Sequence, residues 1–164
     1  MKFVVGCDLE EFKRYYRRNG YDDGDLEHLI KQVIKDPSQL IVWRKNDKIV
    51  GHAVWHESNT RVHRKGDPRD KEDTEALEKL LQGKLDFVEL HEIWLMREYR
   101  GKGYGKRFFE FFEEYMKSEG YDSIVYYADH PVAIAICRQR GGKEDYVKSI
   151  GEHVFHLSLR SQHY

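Results

Sequence analysis

The 164-residue chain has only two cysteines, Cys7 and Cys137, and three prolines. Two widely separated cysteines build neither a disulfide framework nor a paired-cysteine metal site. A reducing, cytoplasmic setting is therefore expected. No apolar run approaches the ~20 residues of a membrane span, and Met1-Lys2-Phe3-Val4-Val5 is too short for a signal peptide, so no membrane partner is expected. An excess of either charge is also missing: 28 Lys and Arg against 29 Asp and Glu leave a net charge of −1. That balance gives no general attraction to nucleic acid. The nine histidines form no ligand set in the sequence. His52 and His56 are four apart on an expected strand, where that spacing does not pair ligands as it would on a helix, and His153 and His156 point to opposite strand faces. No metal is expected.

Charged residues make up 35% and hydrophobic residues 40%, which suits one globular domain spanning 1–164. A charged insertion occupies about 57–86. The informative stretch runs from Glu89 to Glu119. ELHEIWLM reads as a buried strand, REYRGKGYGKR as a glycine-rich basic turn, and FFEFFEEYMKSE as an amphipathic helix with Phe108, Phe111, Phe112, Tyr115 and Met116 on one stripe. Gly120 is the expected helix stop.

Charge in that helix opposes its macrodipole. Arg100, Lys102, Lys106 and Arg107 crowd the positive N-terminal end, while Glu110, Glu113, Glu114 and Glu119 lie further along. An anion held by the free N–H groups and the basic side chains would explain the order, and Gly101, Gly103 and Gly105 would let the backbone approach it. A polyphosphate is the natural ligand. The P-loop pattern fails at Arg100 and Arg107, and the dinucleotide pattern started at Gly101 meets Lys106 instead of glycine.

Elsewhere, Phe3 to Val5 read as a short strand or the lead into a helix. Asp8 caps a helix over Leu9 to Arg18 that packs through Phe12, Tyr15 and Tyr16. A second helix spans about Asp25 to Lys35. Two strands, Leu40 to Arg44 and Ile49 to Trp55, turn through Asn46-Asp47. Arg61, His63, Arg64, Lys65, Asp67, Pro68, Arg69, Asp70 and Lys71 read as an exposed charged loop before a short helix at Glu72 to Leu81. After the central unit come a strand at Tyr121 to Ala128, a helix opened by Pro131, and a terminal hairpin of Tyr146 to Ser149 and His153 to Leu159. Periodicity alone gives an α/β or α+β class.

Arg100, Gly103 and Gly105 form an R-x-x-G-x-G pattern between strand and helix. This resembles the acetyl-CoA-binding motif of the GNAT acetyltransferases, and the order of elements is similar over nearly the whole chain, most specifically from Leu85 to Gly142. The resemblance implies an α/β (α+β) fold with a mixed, mostly antiparallel central sheet, splayed near its middle strands, with helices on both faces. It implies an N-acetyltransferase that passes acetyl from acetyl-CoA to a primary amine in a ternary complex. Leu95, Met96 and Arg97 would pair with the pantetheine arm, and Arg100, Gly101, Lys102, Gly103, Tyr104, Gly105 and Lys106 would wrap the pyrophosphate. His130 falls in the slot of a frequent asparagine. The acceptor would be a small-molecule amine or a protein amine, and the resemblance leaves a homodimer open.

An amine that is cationic at neutral pH must lose a proton before it attacks. Glu89, eleven residues before Arg100, stands where the histone-acetylating branch carries its glutamate base. Glu92 and His91 are alternatives, and a strand bulge would change which of them faces the site. Cys137 falls in the slot of the acid tyrosine, and Gly142 replaces the phenylalanine that ends the pattern. Cys137, Tyr126 or Tyr127 would be the acid, unless the thiolate leaves without one. Three other readings stay open: a non-catalytic acyl-CoA-binding module, a transferase with a longer acyl or aminoacyl donor, and a phosphate-binding interaction protein.

Overall fold

The computed structural model describes residues 1–64 and 67–160, and of Arg64 the backbone only. Lys65, assigned above to the exposed loop, lies outside them. The chain divides into two units, Met1–His56 with His91–Phe111, and Glu57–Leu90 with Phe112 onward.

The first unit begins with β1 (Lys2–Val5) and α1 (Leu9–Arg18). Asp8 caps α1 by accepting the Glu11 N–H at 3.0 Å, satisfying a donor that the first turn leaves free. Glu10 and Glu11 at its start and Arg17 and Arg18 at its end complement the dipole. Phe12, Tyr15 and Tyr16 recur at helical spacing and are fully buried. The second helix is shorter than expected: α2 covers Asp23–His28, and Leu29–Val33 follow as a wider π-type turn. Strands β2 (Leu40–Lys45) and β3 (Lys48–Asn59) pair antiparallel. Their turn holds Asn46 and Asp47 at φ 51° and 64°, the left-handed pair that tight hairpins need and that Asn and Asp tolerate. Leu26, Leu29, Val33, Leu40, Val42, Ile49 and Val54 join the α1 face in one apolar cluster.

In the second unit, the insertion holds a small hairpin of β4 (Val62–Arg64) and β5 (Asp67–Pro68), then α3 (Lys71–Leu81). The hairpin was not expected from the sequence. Ala76, Leu77, Leu80 and Leu81 of α3 pack with Phe87, Val125, Val147 and Val154. Strands β7 (Ser123–Ala128), β8 (Lys143–Val147) and β9 (Glu152–Ser158) pair antiparallel in the order β7-β9-β8. Helix α5 (Pro131–Gln139) lies between β7 and β8 in the chain. β8 starts three residues earlier than expected. It is an edge strand, where charged Lys143, Glu144 and Asp145 are tolerated.

Three elements run through both units: β3, β6 (Asp86–Leu95) and α4 (Tyr104–Ser118). The seven-stranded order is β1-β2-β3-β6-β7-β9-β8. β6 pairs with β7 in parallel, in register at Val88↔Ile124 and Glu89↔Val125, while β1–β2, β2–β3, β7–β9 and β8–β9 are antiparallel, so the sheet is mixed and mostly antiparallel.

Candidate active site

Strand β6 hands the chain to a basic turn. Arg97–Tyr99 form one 3₁₀ turn, Gly101 and Gly103 take φ 75° and 83°, and α4 starts at Tyr104. Left-handed backbone is cheap for glycine alone, and a side chain at Gly103 would meet nothing within 4 Å. The first helical bond into the turn runs from Arg107 N–H to Gly103 O at 3.2 Å. The N–H groups ahead of it face the turn without acceptors inside the helix. No acidic residue lies in the first turn, and Arg100, Lys102, Lys106 and Arg107 are exposed. The turn can hold an anion.

The backbone before it already has partners. Met96 N–H donates to Val50 O at 2.8 Å, and Met96 O accepts from Tyr99 N–H at 3.0 Å. Leu95 O accepts Arg100 Nε–H at 2.7 Å, with the Arg100 guanidinium over the Trp94 ring at 5.6 Å. Each carbonyl keeps a second lone pair for a bound strand-like ligand. Gly51 is what brings β3 this close: a Cβ there would stand 2.8 Å from Trp94 O.

Glu92 sits three residues before Leu95, with 26% of its side chain exposed. Its Oε1 accepts the Tyr16 hydroxyl at 3.1 Å, and its Oε2 is hydrogen-bonded to His52 Nε2. Tyr15 Oη lies 2.8 Å from His52 Nδ1. Burial works to raise the Glu92 pKa, but the His52 contact and then the Tyr16 hydroxyl outweigh it, leaving the carboxyl below its ordinary value. Tyr21 stacks on Tyr16 with ring centroids 4.0 Å apart, and Trp94 meets Tyr21 edge-on. His91, the third candidate base, stands beside His56 with ring centroids 5.3 Å apart.

Glu89 has a different environment. Its side chain is 4% exposed, with Oε1 accepting Arg69 Nη2–H at 2.9 Å and Oε2 lying 3.0 Å from His63 Nδ1. The Arg69 side chain, read from sequence as part of an exposed loop, is only 3% exposed. It also donates to Ser58 Oγ (2.6 Å), Asp73 Oδ2 (3.0 Å), Tyr127 Oη (2.9 Å) and Asn59 O (2.9 Å). The reason is charge pairing, since two carboxylates and three neutral acceptors use its whole donor fork. Burial lowers the Arg69 pKa, and Glu89, Tyr127 and Asp73 together outweigh it and leave it raised.

Of the candidate acids, Cys137 and Tyr126 are buried and Tyr127 is half-buried. Burial first, then Glu113, pushes the Cys137 thiol up to about 12. Tyr126 donates to Glu113 Oε2 at 2.9 Å, and Tyr127 to Asp73 Oδ1 at 2.7 Å. Burial first raises both hydroxyls far above the ordinary phenol range. His130 is exposed and caps α5, its Nδ1 accepting from Val132 N–H at 3.2 Å.

Sequence reasoning missed His52 and Tyr16 as partners of Glu92, and Tyr15 as the partner of His52. One signal was available: His52 interrupts the apolar run Val50 to Val54, and a buried polar side chain requires a partner.

The sequence profile of the Acetyltransferase (GNAT) family matches residues 8–142. The chain belongs to the GNAT family. No curated protein sequence matches it. Solved GNAT structures share its fold. Arylalkylamine N-acetyltransferase 2 from Aedes aegypti is 14% identical with a TM-score of 0.68, over 97% of this chain and 99% of that one. A ribosomal-protein alanine N-acetyltransferase from Escherichia coli is 12% identical with a TM-score of 0.59, over 99% and 96%. A Bacillus subtilis N-acetyltransferase in complex with coenzyme A is 19% identical with a TM-score of 0.54, over 96% and 95%. The match to these GNAT folds agrees with the mixed sheet expected from the sequence.

Proposed function

We propose that this GNAT protein transfers acetyl from acetyl-CoA to a primary amine by direct attack in a ternary complex. The observation that carries the reading is the basic glycine turn at the α4 N-terminus, open to solvent and free of acidic residues in the first helical turn. Arg100, Lys102 and Lys106, with the backbone of Gly101 to Gly105, hold the cofactor's pyrophosphate, and Leu95 to Arg97 receive its pantetheine arm.

Glu92 is the base in this reading. The acceptor ammonium gives one proton to the Glu92 carboxylate, and the freed nitrogen lone pair attacks the thioester carbonyl carbon. The tetrahedral intermediate collapses as the C–S bond breaks and the thiolate leaves with the electron pair. The nitrogen gives its second proton to solvent. A base must be able to hold a proton. Protonating Glu92 leaves neutral donors around it, whereas protonating Glu89 would strip buried Arg69 of one counter-charge. Glu89 is therefore assigned to structure. Cys137 is too weak an acid for a leaving thiolate of ordinary pKa, ~8.5, and the thiolate departs without it.

An agmatine N-acetyltransferase of the same fold (12% identical, TM-score 0.65, over 96% of this chain and 100% of that one) and the arylalkylamine enzyme support agmatine and arylalkyl amines as the first acceptors to screen, with protein amines next. The test is calorimetric titration of acetyl-CoA, with CoA, longer acyl-CoAs and ATP as competitors. Micromolar acetyl-CoA binding that ATP does not match, weakened at least tenfold by Lys106→Glu and by Gly103→Glu, is expected. No binding of any CoA species would end the proposal. Cofactor binding without transfer to any amine would leave the non-catalytic module.

A further inference from the structure

Resting on that assignment of Glu92 as base, we propose that His52, oriented by Tyr15, is a positioning residue that holds the Glu92 carboxylate aimed and ionised for proton transfer. The geometry sets the proton positions. Tyr15 is buried and remains a phenol, since burial first raises its pKa far above the ordinary value. Among the described residues its hydroxyl meets one acceptor, His52 Nδ1, at 2.8 Å. Nδ1 must therefore offer its lone pair, which puts the imidazole proton on Nε2. From Nε2 it is donated to Glu92 Oε2.

His52 is 0% exposed, so its ring is fixed by packing as well as by its two hydrogen bonds. Phe12, Tyr15 and Tyr16 all place ring edges against it. Tyr16 adds a second donor on Glu92, at 3.1 Å from Oε1 and 3.3 Å from Oε2. Two neutral donors thus stabilise the carboxylate against the cost of burial, leaving Oε1 the better placed oxygen to take the amine proton. The same logic orients the histidine in other catalytic sites, where a group behind the ring sets its tautomer. Of the other titratable groups, His91 acts on Glu92 itself, Tyr21 on Tyr15 and Tyr16, Asp25 of α2 on Tyr16 and Tyr21, and Arg100 on Tyr21. None of these lies between His52 and Glu92.

The test compares wild type with His52→Leu, His52→Gln, Tyr15→Phe and Glu92→Gln. Two readouts are taken: the pH profile of kcat/KM with agmatine as probe amine, and the ¹³C titration of the Glu92 carboxyl by NMR. In His52→Leu the desolvation of Glu92 is no longer opposed by the imidazole. Its titration midpoint should rise by about one pH unit or more, and the acid limb of kcat/KM should follow it upward. His52→Gln keeps a neutral donor toward Glu92 and an acceptor for Tyr15, and should hold the midpoint within about half a unit of wild type while rescuing most of the rate. Tyr15→Phe should fall between the two. A His52 that serves packing alone would lower the melting temperature and leave the Glu92 midpoint in place. That unmoved midpoint, in a His52→Leu or Tyr15→Phe protein whose circular dichroism is native, overturns the inference. The base assignment fails separately: Glu92→Gln with an unchanged rate and acid limb would remove it whatever the NMR titration shows.

Discussion

Replacing Arg69 by methionine should destabilise the protein more than any change in the charged segment around it. Its guanidinium bridges Glu89 and Asp73, whose side chains are 4% and 9% exposed. Methionine fills much of the same volume but leaves both carboxylates in a buried setting without their cation. Breaking a buried pair from one side costs about 3–5 kcal/mol. At about 2–4 °C per kcal/mol for a domain of this size, the melting temperature should fall by roughly 6–20 °C. Arg69→Lys keeps the charge and loses the planar fork, so it should recover only part of the loss. Arg61→Met, at an exposed position in the same segment, is the control and should be close to neutral. Thermal and urea unfolding followed by far-ultraviolet circular dichroism at pH 7 measure all three. A melting temperature for Arg69→Met within about 2 °C of wild type, less than the smallest loss this reasoning allows, or Arg69→Lys indistinguishable from wild type, would refute it.

Gly51→Ala should cost about 1–3 kcal/mol as an overpacking change, because its methyl would press on Trp94 O; it should also weaken acetyl-CoA binding, which calorimetry would detect. Arg138 and then His153 hold the Glu144 carboxyl down at about 2. The stability this lends is present above the ordinary glutamate pKa of about 4.3 and is lost as the pH falls toward 2. Glu144→Gln should therefore lower the melting temperature at pH 7, less so in high salt, and have only a small residual effect at pH 2, where the folded-state carboxyl is about half protonated. Cys137→Ala should keep kcat within about twofold of wild type, and the native Cys137 thiol, raised to about 12 by burial, should not react with a disulfide reagent at pH 8. A dead Cys137→Ala enzyme that is folded and binds acetyl-CoA would return the acid role to this residue.

The elements legible in the sequence were those fixed by local chemistry. Asp8, the Phe12-Tyr15-Tyr16 face and the basic last turn give α1 its expected bounds, Leu9–Arg18. The left-handed Asn46-Asp47 pair gives the β2–β3 hairpin. Phe108, Phe112 and Met116 are fully buried in α4, as their spacing requires. The departures occur where tertiary pairing overrides local preference. The second helix loosens after His28 into a wider turn whose Leu29 and Val33 still reach the apolar cluster. β8 begins at Lys143 because β9 offers backbone partners as far as Lys143↔His156. A run of Lys, Glu and Asp gives no local sign of that.

The site was half legible for a related reason. The glycine turn is contiguous, so its spacing shows in the sequence. The two glutamates are not decided by anything contiguous. Glu89 and Glu92 are three apart on β6, and side chains an odd number of residues apart on a regular strand leave on opposite faces. What each becomes depends on a residue far away in the chain. Glu89 meets Arg69, twenty residues earlier, and Glu92 meets His52, forty residues earlier. The difference between those partners has a chemical consequence. A permanent cation makes Glu89 a fixed counter-ion, since protonating it would leave buried charge unbalanced. With the Nε2–H tautomer proposed for His52, the donors on Glu92 are neutral, and the carboxylate can take and return a proton with no charge left unpaired. On this argument the base is chosen by the charge of its partner. The sharpest single substitution is thus the one that exchanges the two environments. A charged lysine at position 52 should fix Glu92 as an ion, lower its titration midpoint further, and slow amine deprotonation while acetyl-CoA binding is retained. Unimpaired turnover in a folded His52→Lys enzyme would break the argument.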